Sequence, residues 1–305
     1  MTIFATQKPQ TQVKTMLAGP FGQGLEMYID IYDKFLKENG FTENMPQYLY
    51  HYTNSEALIN IIENNEFWLT HVQFFNDKNE YYEGVNFILE ILRRRKNEIG
   101  ADLLKSLQNV FLGDQYNDRA LNVGVLSFSE KRDLLSQWRG YTKHGCGYCL
   151  CLETAKLYRQ DIHVWFRKCI YLNVEKEKIV NKIVDSILEK QKQGETPEQI
   201  NAFAFFLFQE CAITFKNEAF KEESEWRLIT FPLANNDQKW NFRAGAFAII
   251  PYTKITVNLK DCFHEVIIGP SYSQELSKKS LFFLLWKKEL NFMAINFSKV
   301  PYRMV

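Results

Sequence analysis

Hydrophobic and polar positions divide the chain into short strand-like segments and longer helix-like ones. Short apolar or alternating runs, bounded by turn residues, predict strands at 48–52, 67–70, 121–128, 147–153, 163–172, 226–231, 247–250, 255–257, 266–268 and 294–297. Apolar residues at helical spacing predict helices at 25–38, 55–64, 78–98, 101–112, 133–139, 174–192, 197–216 and 271–289. Strands and helices do not alternate regularly, which argues against a doubly wound parallel sheet. The pattern predicts an α+β fold with a mixed, mostly antiparallel sheet flanked by helices.

The chain of 305 residues is long enough for a large core. Residues 1–20 have the composition of a flexible leader that Gly19-Pro20 ends, and we expect a single α+β domain over 21–305. The helices at about 174–216 predict a helical excursion from that domain. Thr196 and Pro197 form the typical start of its second helix.

Composition narrows the class of protein. The net charge is +1, so no overall field attracts nucleic acid or an anionic membrane, and we expect no membrane partner. The polar residues 1–13 do not form a signal peptide, and the apolar run at 281–285 is too short to span a bilayer. The six cysteines provide neither a second zinc-ligand pair beside Cys146 and Cys149 nor a disulfide framework. We therefore expect a cytoplasmic protein without a metal.

The segment Tyr48-Leu49-Tyr50-His51-Tyr52-Thr53 is the most informative in the chain. His51 lies on an aromatic strand, and Thr53 and Glu56 have the spacing of a capping box for the helix that follows. A histidine there can bond a ligand hydroxyl or act as an acid or base. A packed histidine bonded to a backbone carbonyl fits the same pattern. We interpret this strand as one wall of a binding or catalytic cleft.

Polar groups elsewhere can face the same cleft. Asn76 and Asp77 follow two aromatic rings at the start of a predicted helix, where they serve either as caps or as ligand contacts. Ser127 and Ser129 alternate at the end of a strand and therefore face the same side. This pair is a plausible anchor for a ligand.

Two further candidates come later in the chain. Trp138 and Arg139 provide a stacking ring and a cation that can bind phosphate. Glu223 and Glu225 share one face of a predicted strand entrance, and paired carboxylates raise each other's pKa and can perform acid–base or ribose-binding work. An acidic loop that pairs with nearby cations fits the Glu223 and Glu225 pattern as well.

The order of these motifs resembles that of a bacterial domain-of-unknown-function family, number 2971, over residues 48–302. The similar stretches are Leu49-Tyr50-His51-Tyr52-Thr53, Trp68-Leu69-Thr70, Phe75-Asn76-Asp77-x-x-Glu80, Phe128-Ser129-Glu130, Leu134-Leu135-Ser136-Gln137-Trp138, Glu223-x-Glu225-Trp226-Arg227, Val266-Ile267-Ile268-Gly269-Pro270 and Ser298-x-Val300-Pro301-Tyr302. The sequence departs from the family pattern at Arg139-Gly140, where a polar residue and a histidine are expected. The resemblance implies no function by itself.

A more distant resemblance does imply one. The order His-x-Thr, Ser-x-Ser and Glu-x-Glu on three strands looks like that of ADP-ribosyltransferases, which bind NAD as a substrate in the cleft of a split antiparallel sheet. By this resemblance His51 and Thr53 would lie beside the nicotinamide ribose, and Ser127 and Ser129 would support the nicotinamide pocket.

The same resemblance implies roles for the remaining candidates. Glu225 would bind the ribose hydroxyl and stabilise the cationic transition state, and Glu223 would orient the acceptor. Tyr52 or Trp68 would stack on nicotinamide. The implied activity is ADP-ribosyl transfer to a protein or nucleic acid, or NAD hydrolysis, by a toxin or phage-defence effector.

Two other interpretations stay open. A non-catalytic sensor of small ligands, or a protein-interaction module, can use the same aromatic cleft. A protein that acts on nucleic acid is the second, and it rests on Arg139 and on the basic run at 93–96.

Overall fold

The computed structural model describes residues 33–41, 44–75, 80–112, 123–141, 147–158, 164–230, 240–245, 248–271 and 273–301. The predicted leader at 1–20 and the candidates Asn76 and Asp77 lie outside the described residues. Within the described residues, ten strands form one sheet: β1 (Tyr48–Asn54), β2 (Glu66–His71), β3 (Gly124–Ser129), β4 (Gly147–Glu153), β5 (Val164–Lys168), β6 (Glu225–Thr230), β7 (Asn241–Ala244), β8 (Ile249–Thr256), β9 (Phe263–Ile268) and β10 (Ala294–Phe297).

The strand order is β10-β9-β4-β1-β3-β2-β8-β7, and a branch adds β6 to β3 and β5 to β6. Every pair of these strands is antiparallel except β9 with β10. The prediction of an α+β fold with a mostly antiparallel sheet is therefore confirmed.

The helices are α1 (Ser55–Asn64), α2 (Glu80–Arg94), α3 (Lys96–Ile99), α4 (Ala101–Leu112), α5 (Leu135–Tyr141), α6 (Thr154–Tyr158), α7 (Asn173–Lys192), α8 (Pro197–Thr214), α9 (Leu259–Cys262) and α10 (Gln274–Lys287). Short 3₁₀ segments cover Val72–Phe74 and Glu218–Glu223. The predicted cap at Thr196 is confirmed, and it forms a capping box: the Thr196 hydroxyl accepts from the Gln199 N–H, and the Gln199 side chain accepts from the Thr196 N–H.

Some element boundaries differ from the prediction. The long helix expected at 78–98 is interrupted at Arg95, and its two parts are α2 and α3. The two strands expected at 247–250 and 255–257 are one strand, β8, because β2 and β7 pair along its two edges through the segment around Pro251. Helix α1 covers the predicted residues 55–64, but Asn54 caps it instead of Thr53, because the Asn54 side chain accepts from the Ala57 N–H.

The helices cover both faces of the sheet. On one face α2, α4, α7 and α8 pack together on Val125 and Ile229, so the helices at about 174–216 belong to the core. On the other face α1 and α10 pack on a second cluster that includes Leu49 and Leu228. Helix α5 lies on the first face, where Trp138 packs against Tyr52 with ring centroids 4.8 Å apart.

The sheet divides at β3. One edge of β3 pairs with β6 from Val125 to Ser129. On the other edge Ser129 pairs with Tyr50 of β1, whereas Val125 pairs with Thr70 of β2. Ser127 lies between these two pairings and has no strand partner there among the described residues. The diverging strands β1 and β2 therefore leave a buried carbonyl that needs a donor.

The His51 ring fills this gap. Its Nδ1 lies 3.0 Å from the Ser127 carbonyl oxygen, and its ring packs against Phe67 and Phe128. Burial lowers the pKa of His51, and the bond to Ser127 offsets this only in part. The neutral ring with the proton on Nδ1 satisfies the carbonyl, so His51 has the packed role that the sequence left open.

Replacement of His51 by leucine should lower the free energy of unfolding by about 1–3 kcal/mol, because the Ser127 carbonyl would stay buried without a donor. His51→Asn should lose less, since its amide nitrogen can occupy the place of Nδ1. Urea unfolding followed by circular dichroism measures both changes. The matched control is His264→Leu, because His264 is exposed on β9. Equal stability of His51→Leu and the wild type would contradict the assigned role.

Candidate functional site

A cavity of about 220 Å³ opens on the first face of the sheet, between α5, the start of α2 and the end of α8. Its charged lining consists of three carboxylates and two cations: Glu80, Glu223, Glu225, Lys216 and Arg227. Its aromatic lining consists of Tyr50, Tyr52, Phe75, Phe128, Tyr141 and Phe220. The cavity therefore combines flat apolar walls with a cluster of charges in which carboxylates are in excess.

Strand β6 places two of the charges. All residues of β6 are buried, and its alternation directs Glu225 and Arg227 to the same face. Arg227 Nε donates to Glu225 Oε1 at 2.9 Å, and the other guanidinium nitrogens donate to Glu80 and to the Ile213 carbonyl. The guanidinium is thus fixed by a strand and by two helices.

Lys216 provides the second cation. It follows α8, and its Nζ donates to Glu223 at 2.6 Å and to Glu225. The Nζ also lies 3.9 Å from a Glu80 oxygen and 5.2 Å from the centre of the Phe220 ring. Lys216 therefore holds the carboxylates of Glu223 and Glu225 around one ammonium group.

The two carboxyl groups differ in acidity. Burial acts to raise the pKa of Glu225, but the charges and hydrogen bonds of Arg227 and Lys216 outweigh burial and lower the pKa to about 2. Burial raises the pKa of Glu223, and Lys216 offsets this only in part. Glu225 is consequently ionised at neutral pH, while Glu223 is the better acceptor of a proton.

Hydrogen bonds from neighbouring segments fix the backbone of Glu223 and Glu225. The Glu225 N–H donates to the Tyr171 hydroxyl at 2.8 Å. The Ser129 hydroxyl donates to the Glu223 carbonyl at 2.6 Å and accepts from the Lys131 N–H at 2.9 Å. Ser129 therefore links the backbone of Glu223 to that of Lys131.

Several of the predicted site residues meet in this cavity. Glu223, Glu225, Ser127 and Tyr52 all line it. Glu223 and Glu225 do not lie on one strand as predicted, because Glu223 ends a 3₁₀ segment and Ser224 has a left-handed conformation with φ of 44°. Their carboxylates are brought together by Lys216 instead. The Tyr52 hydroxyl is held by the Lys131 carbonyl and the Leu134 N–H at 2.7 and 3.0 Å.

Other predicted residues lie elsewhere. His51 and Thr53 point away from the cavity, since they alternate with Tyr50 and Tyr52 on β1. Trp68 stacks on Tyr252, with ring centroids 4.3 Å apart. These side chains are structural, so the cavity wall on β1 is formed by the tyrosines.

The predicted pair Trp138 and Arg139 is also absent from the lining. Trp138 is fully buried, and its indole N–H donates to Asp133 at 2.7 Å. A Cβ at Gly269 would lie 2.8 Å from the Trp138 ring, so a glycine is needed there. Arg139 is exposed on α5. Trp138 therefore packs α5 onto the sheet and is not available as a stacking platform.

Sequence reasoning missed Lys216, Glu80 and Tyr141 as site residues. Lys216 is the last residue of the predicted helix at 197–216, and Glu80 occurs only in the motif Phe75-Asn76-Asp77-x-x-Glu80. No local pattern relates them, because they meet only through the packing of α2 and α8 on β6. The one signal was Arg227, whose motif Glu223-x-Glu225-Trp226-Arg227 already placed a cation beside the carboxylates.

The carboxylates of the cavity already have cationic partners. Each carboxylate of the cluster is bonded to Lys216 or Arg227. Among the residues that the structure describes, no group of three histidine, cysteine, aspartate or glutamate side chains could hold a metal ion. The rest of the lining includes aromatic rings, the Gln137 amide and the hydroxyl groups of serine and tyrosine.

Comparison with known proteins gives one match. A family model described as a protein of unknown function (DUF2971) matches residues 137–228. This segment contains Lys216, Glu223, Glu225 and Arg227, so the matched part of the chain carries most of the charged cluster. The match is shorter than the resemblance over 48–302 noted from the motifs. No curated protein and no solved structure matches the chain.

Acid should destabilise the protein partly through Glu225. The carboxyl has an ordinary pKa of 4.5 and a folded pKa of about 2, so folding favours its ionised form. This contribution is complete above the ordinary pKa and is lost as the pH falls towards the folded one. The unfolding free energy of Glu225→Gln should therefore fall less than that of the wild type between about pH 5 and pH 3.

Urea unfolding at both pH values measures this difference. Glu222→Gln is the matched control, because Glu222 is exposed and outside the cavity, and it should keep the wild-type slope. If Glu225→Gln and Glu222→Gln depend on pH alike, Glu225 does not have a lowered pKa.

Proposed function

We propose that the protein cleaves NAD at the bond between nicotinamide and ribose, and transfers ADP-ribose to a macromolecule or to water. The observation that carries the proposal is Glu225, a buried carboxylate that is kept ionised on the wall of an aromatic cavity. Cleavage develops positive charge on the ribose, and a fixed anion at that point stabilises the transition state.

The reaction would proceed in a balanced sequence. The C1′–N bond breaks, and its electron pair leaves with nicotinamide, whose ring becomes neutral. The cationic ribose is then stabilised by Glu225. Water or an acceptor hydroxyl forms the new bond to C1′ and gives up a proton, which Glu223 can accept because burial raises its pKa.

The sheet supports this proposal through the placement of its motifs. Strands β1 and β3 carry the His-x-Thr and Ser-x-Ser motifs, and β6 begins at Glu225, the second glutamate of the Glu-x-Glu motif. The three strands are neighbours in the order β1-β3-β6. The sheet also divides beside β3, which agrees with the split sheet of ADP-ribosyltransferases. This likeness is at the level of fold and motif order, and so it supports the proposal without establishing it.

The cavity limits which part of NAD it can hold. Ligand pockets for drug-sized molecules have volumes of about 300–1,000 Å³, whereas this cavity has about 220 Å³. It suits the nicotinamide ring and its ribose, between walls such as Tyr50 and Phe75. The adenosine part would lie outside the mouth. We also propose that the protein is a toxin or phage-defence effector that acts by consuming NAD.

One observation favours a second function, the binding of a small nucleotide without turnover. Both oxygens of Glu225 are already bonded, one to Arg227 and the other to Lys216. A carboxylate whose two oxygens are both bonded can have a structural role. The cavity would then bind its ligand without converting it. The nucleic-acid alternative loses support, because Arg94 and Arg95 form ion pairs with Glu90, Glu177, Glu98 and Asp185.

Incubation with NAD should release nicotinamide, which chromatography measures. Glu225→Gln should lower kcat by roughly 10²–10³-fold, the usual loss when one group that stabilises a developing charge is removed. The matched control Glu222→Gln removes a carboxylate three positions away and should retain the wild-type rate. Circular dichroism and thermal unfolding of each variant separate loss of chemistry from loss of fold.

The possible results distinguish the two functions. Absence of nicotinamide release, with no ADP-ribosylated acceptor in a cell lysate, would reject the enzymatic proposal. Thermal stabilisation by NAD that is recovered unchanged would then favour the binding function. Release at the wild-type rate by a folded Glu225→Gln would show that Glu225 is not catalytic.

A further inference from the structure

Helix α10 presents large apolar side chains to the outside. Leu281 and Leu285 face the core, as expected for a helix on a sheet. The opposite side should be polar, yet the exposed fractions there are 67% for Leu276, 50% for Phe282, 68% for Phe283 and 65% for Trp286. We name these four residues the α10 patch. Helix α10 is therefore apolar on both its inner and its outer side.

The patch is larger than scattered surface residues would be. If each side chain offers 150–250 Å² when extended, the exposed area is roughly 500 Å². The largest apolar patch on a monomeric protein usually covers about 300–600 Å² and is often functional. The rings of Phe282 and Phe283 are 6.3 Å apart, so the patch is continuous at its centre.

The charges around the patch are mainly positive. The exposed charged residues of α10 are Glu275, Lys278, Lys279 and Lys287, an excess of two positive charges on one helix of a protein with a net charge of +1. Lys287 also reaches Glu63 at 3.3 Å. Lys279 is exposed and precedes Phe283 by one helical turn, so the two residues lie on the same side of α10. The partner that complements this surface is anionic.

We propose that the α10 patch docks onto the surface of an anionic membrane. Aromatic and leucine side chains can enter the boundary between headgroups and acyl chains, while lysine ammonium groups reach the phosphates. The net charge of the whole chain, from which we expected no membrane partner, does not reflect this local excess of positive charge. Helix α10 would lie along the surface, and no helix of the described residues is long and apolar enough to cross a membrane.

Protein partners fit the same surface less well. A second copy would bring two positively charged patches together, which is unfavourable. A standard interface buries about 800 Å² on each side, more than this patch offers. A membrane requires no complementary shape, so a single convex helix is sufficient.

The α10 patch and the cavity lie on opposite faces of the sheet. Helix α10 packs on the second face, whereas Glu225 and Arg227 project from the first. Docking would therefore leave the cavity open to solvent. The inference does not depend on NAD cleavage, and a protein with either proposed function could use it.

Flotation of the full chain with lipid vesicles tests this inference. The protein should float with vesicles that contain phosphatidylserine and phosphatidylcholine, and binding should weaken as salt is added. The double variant Phe283→Ser with Trp286→Ser should bind at least roughly tenfold more weakly, because it removes apolar area that would enter the lipid. Phe242→Ser is the matched control, since Phe242 is 66% exposed on β7.

Four results would overturn the inference. The first is failure to float with anionic vesicles at low salt. The second is binding by the double variant that equals binding by the wild type. The third is equal binding to vesicles of phosphatidylcholine alone. The fourth is a dimer in sedimentation velocity that the double variant abolishes, which would assign the patch to a second copy. Unchanged thermal unfolding of the double variant confirms that its fold is retained.

Discussion

The buried guanidinium of Arg227 is the interaction that joins the sheet to its helical layer. Only 2% of Arg227 is exposed, and a charge so far from water is costly unless it is fully paired. Its donors reach Glu225 on the same strand, Glu80 at the start of α2 and the Ile213 carbonyl in α8. The face of its guanidinium lies 5.2 Å from the centre of the Phe75 ring. The positions of β6, α2 and α8 are thus fixed relative to one another by one side chain.

The division of the sheet at β3 provides the second constraint. Strands β1 and β2 separate at this point. One edge of β3 therefore pairs with both strands, and the Ser127 carbonyl lies between the two pairings. His51 satisfies that carbonyl from the core side, and the same alternation turns Tyr50 and Tyr52 towards the cavity. The histidine is therefore essential to the geometry of the site without contacting what the site would bind.

The contrast between His51 and Glu225 shows what the sequence could predict. Alternation and short apolar runs identified most strands, and the Glu-x-Glu motif identified the carboxylates, since both signals are local. The face on which His51 lies depends on the pairing of β1 with β3 and β4, which no local pattern records. Lys216 and Glu80 are 136 positions apart in the sequence, and they approach within 3.9 Å only because α2 and α8 pack together. Long-range packing therefore determined the part of the site that sequence reasoning missed.

The energetics of the charged cluster bear on its purpose. Buried ion pairs stabilise proteins weakly, because desolvation offsets most of their attraction, and apolar residues of the same volume are often as stable. A purely structural cluster would also be expected to fill its space. Here Glu80, Glu223, Glu225, Lys216 and Arg227 border an open cavity with aromatic walls. Shifted acidity in a cleft is typical of functional sites. A charge arrangement that is costly to bury and yet faces a cavity is better explained by a ligand than by stability, and this reasoning supports the choice of Glu225 as the first residue to test.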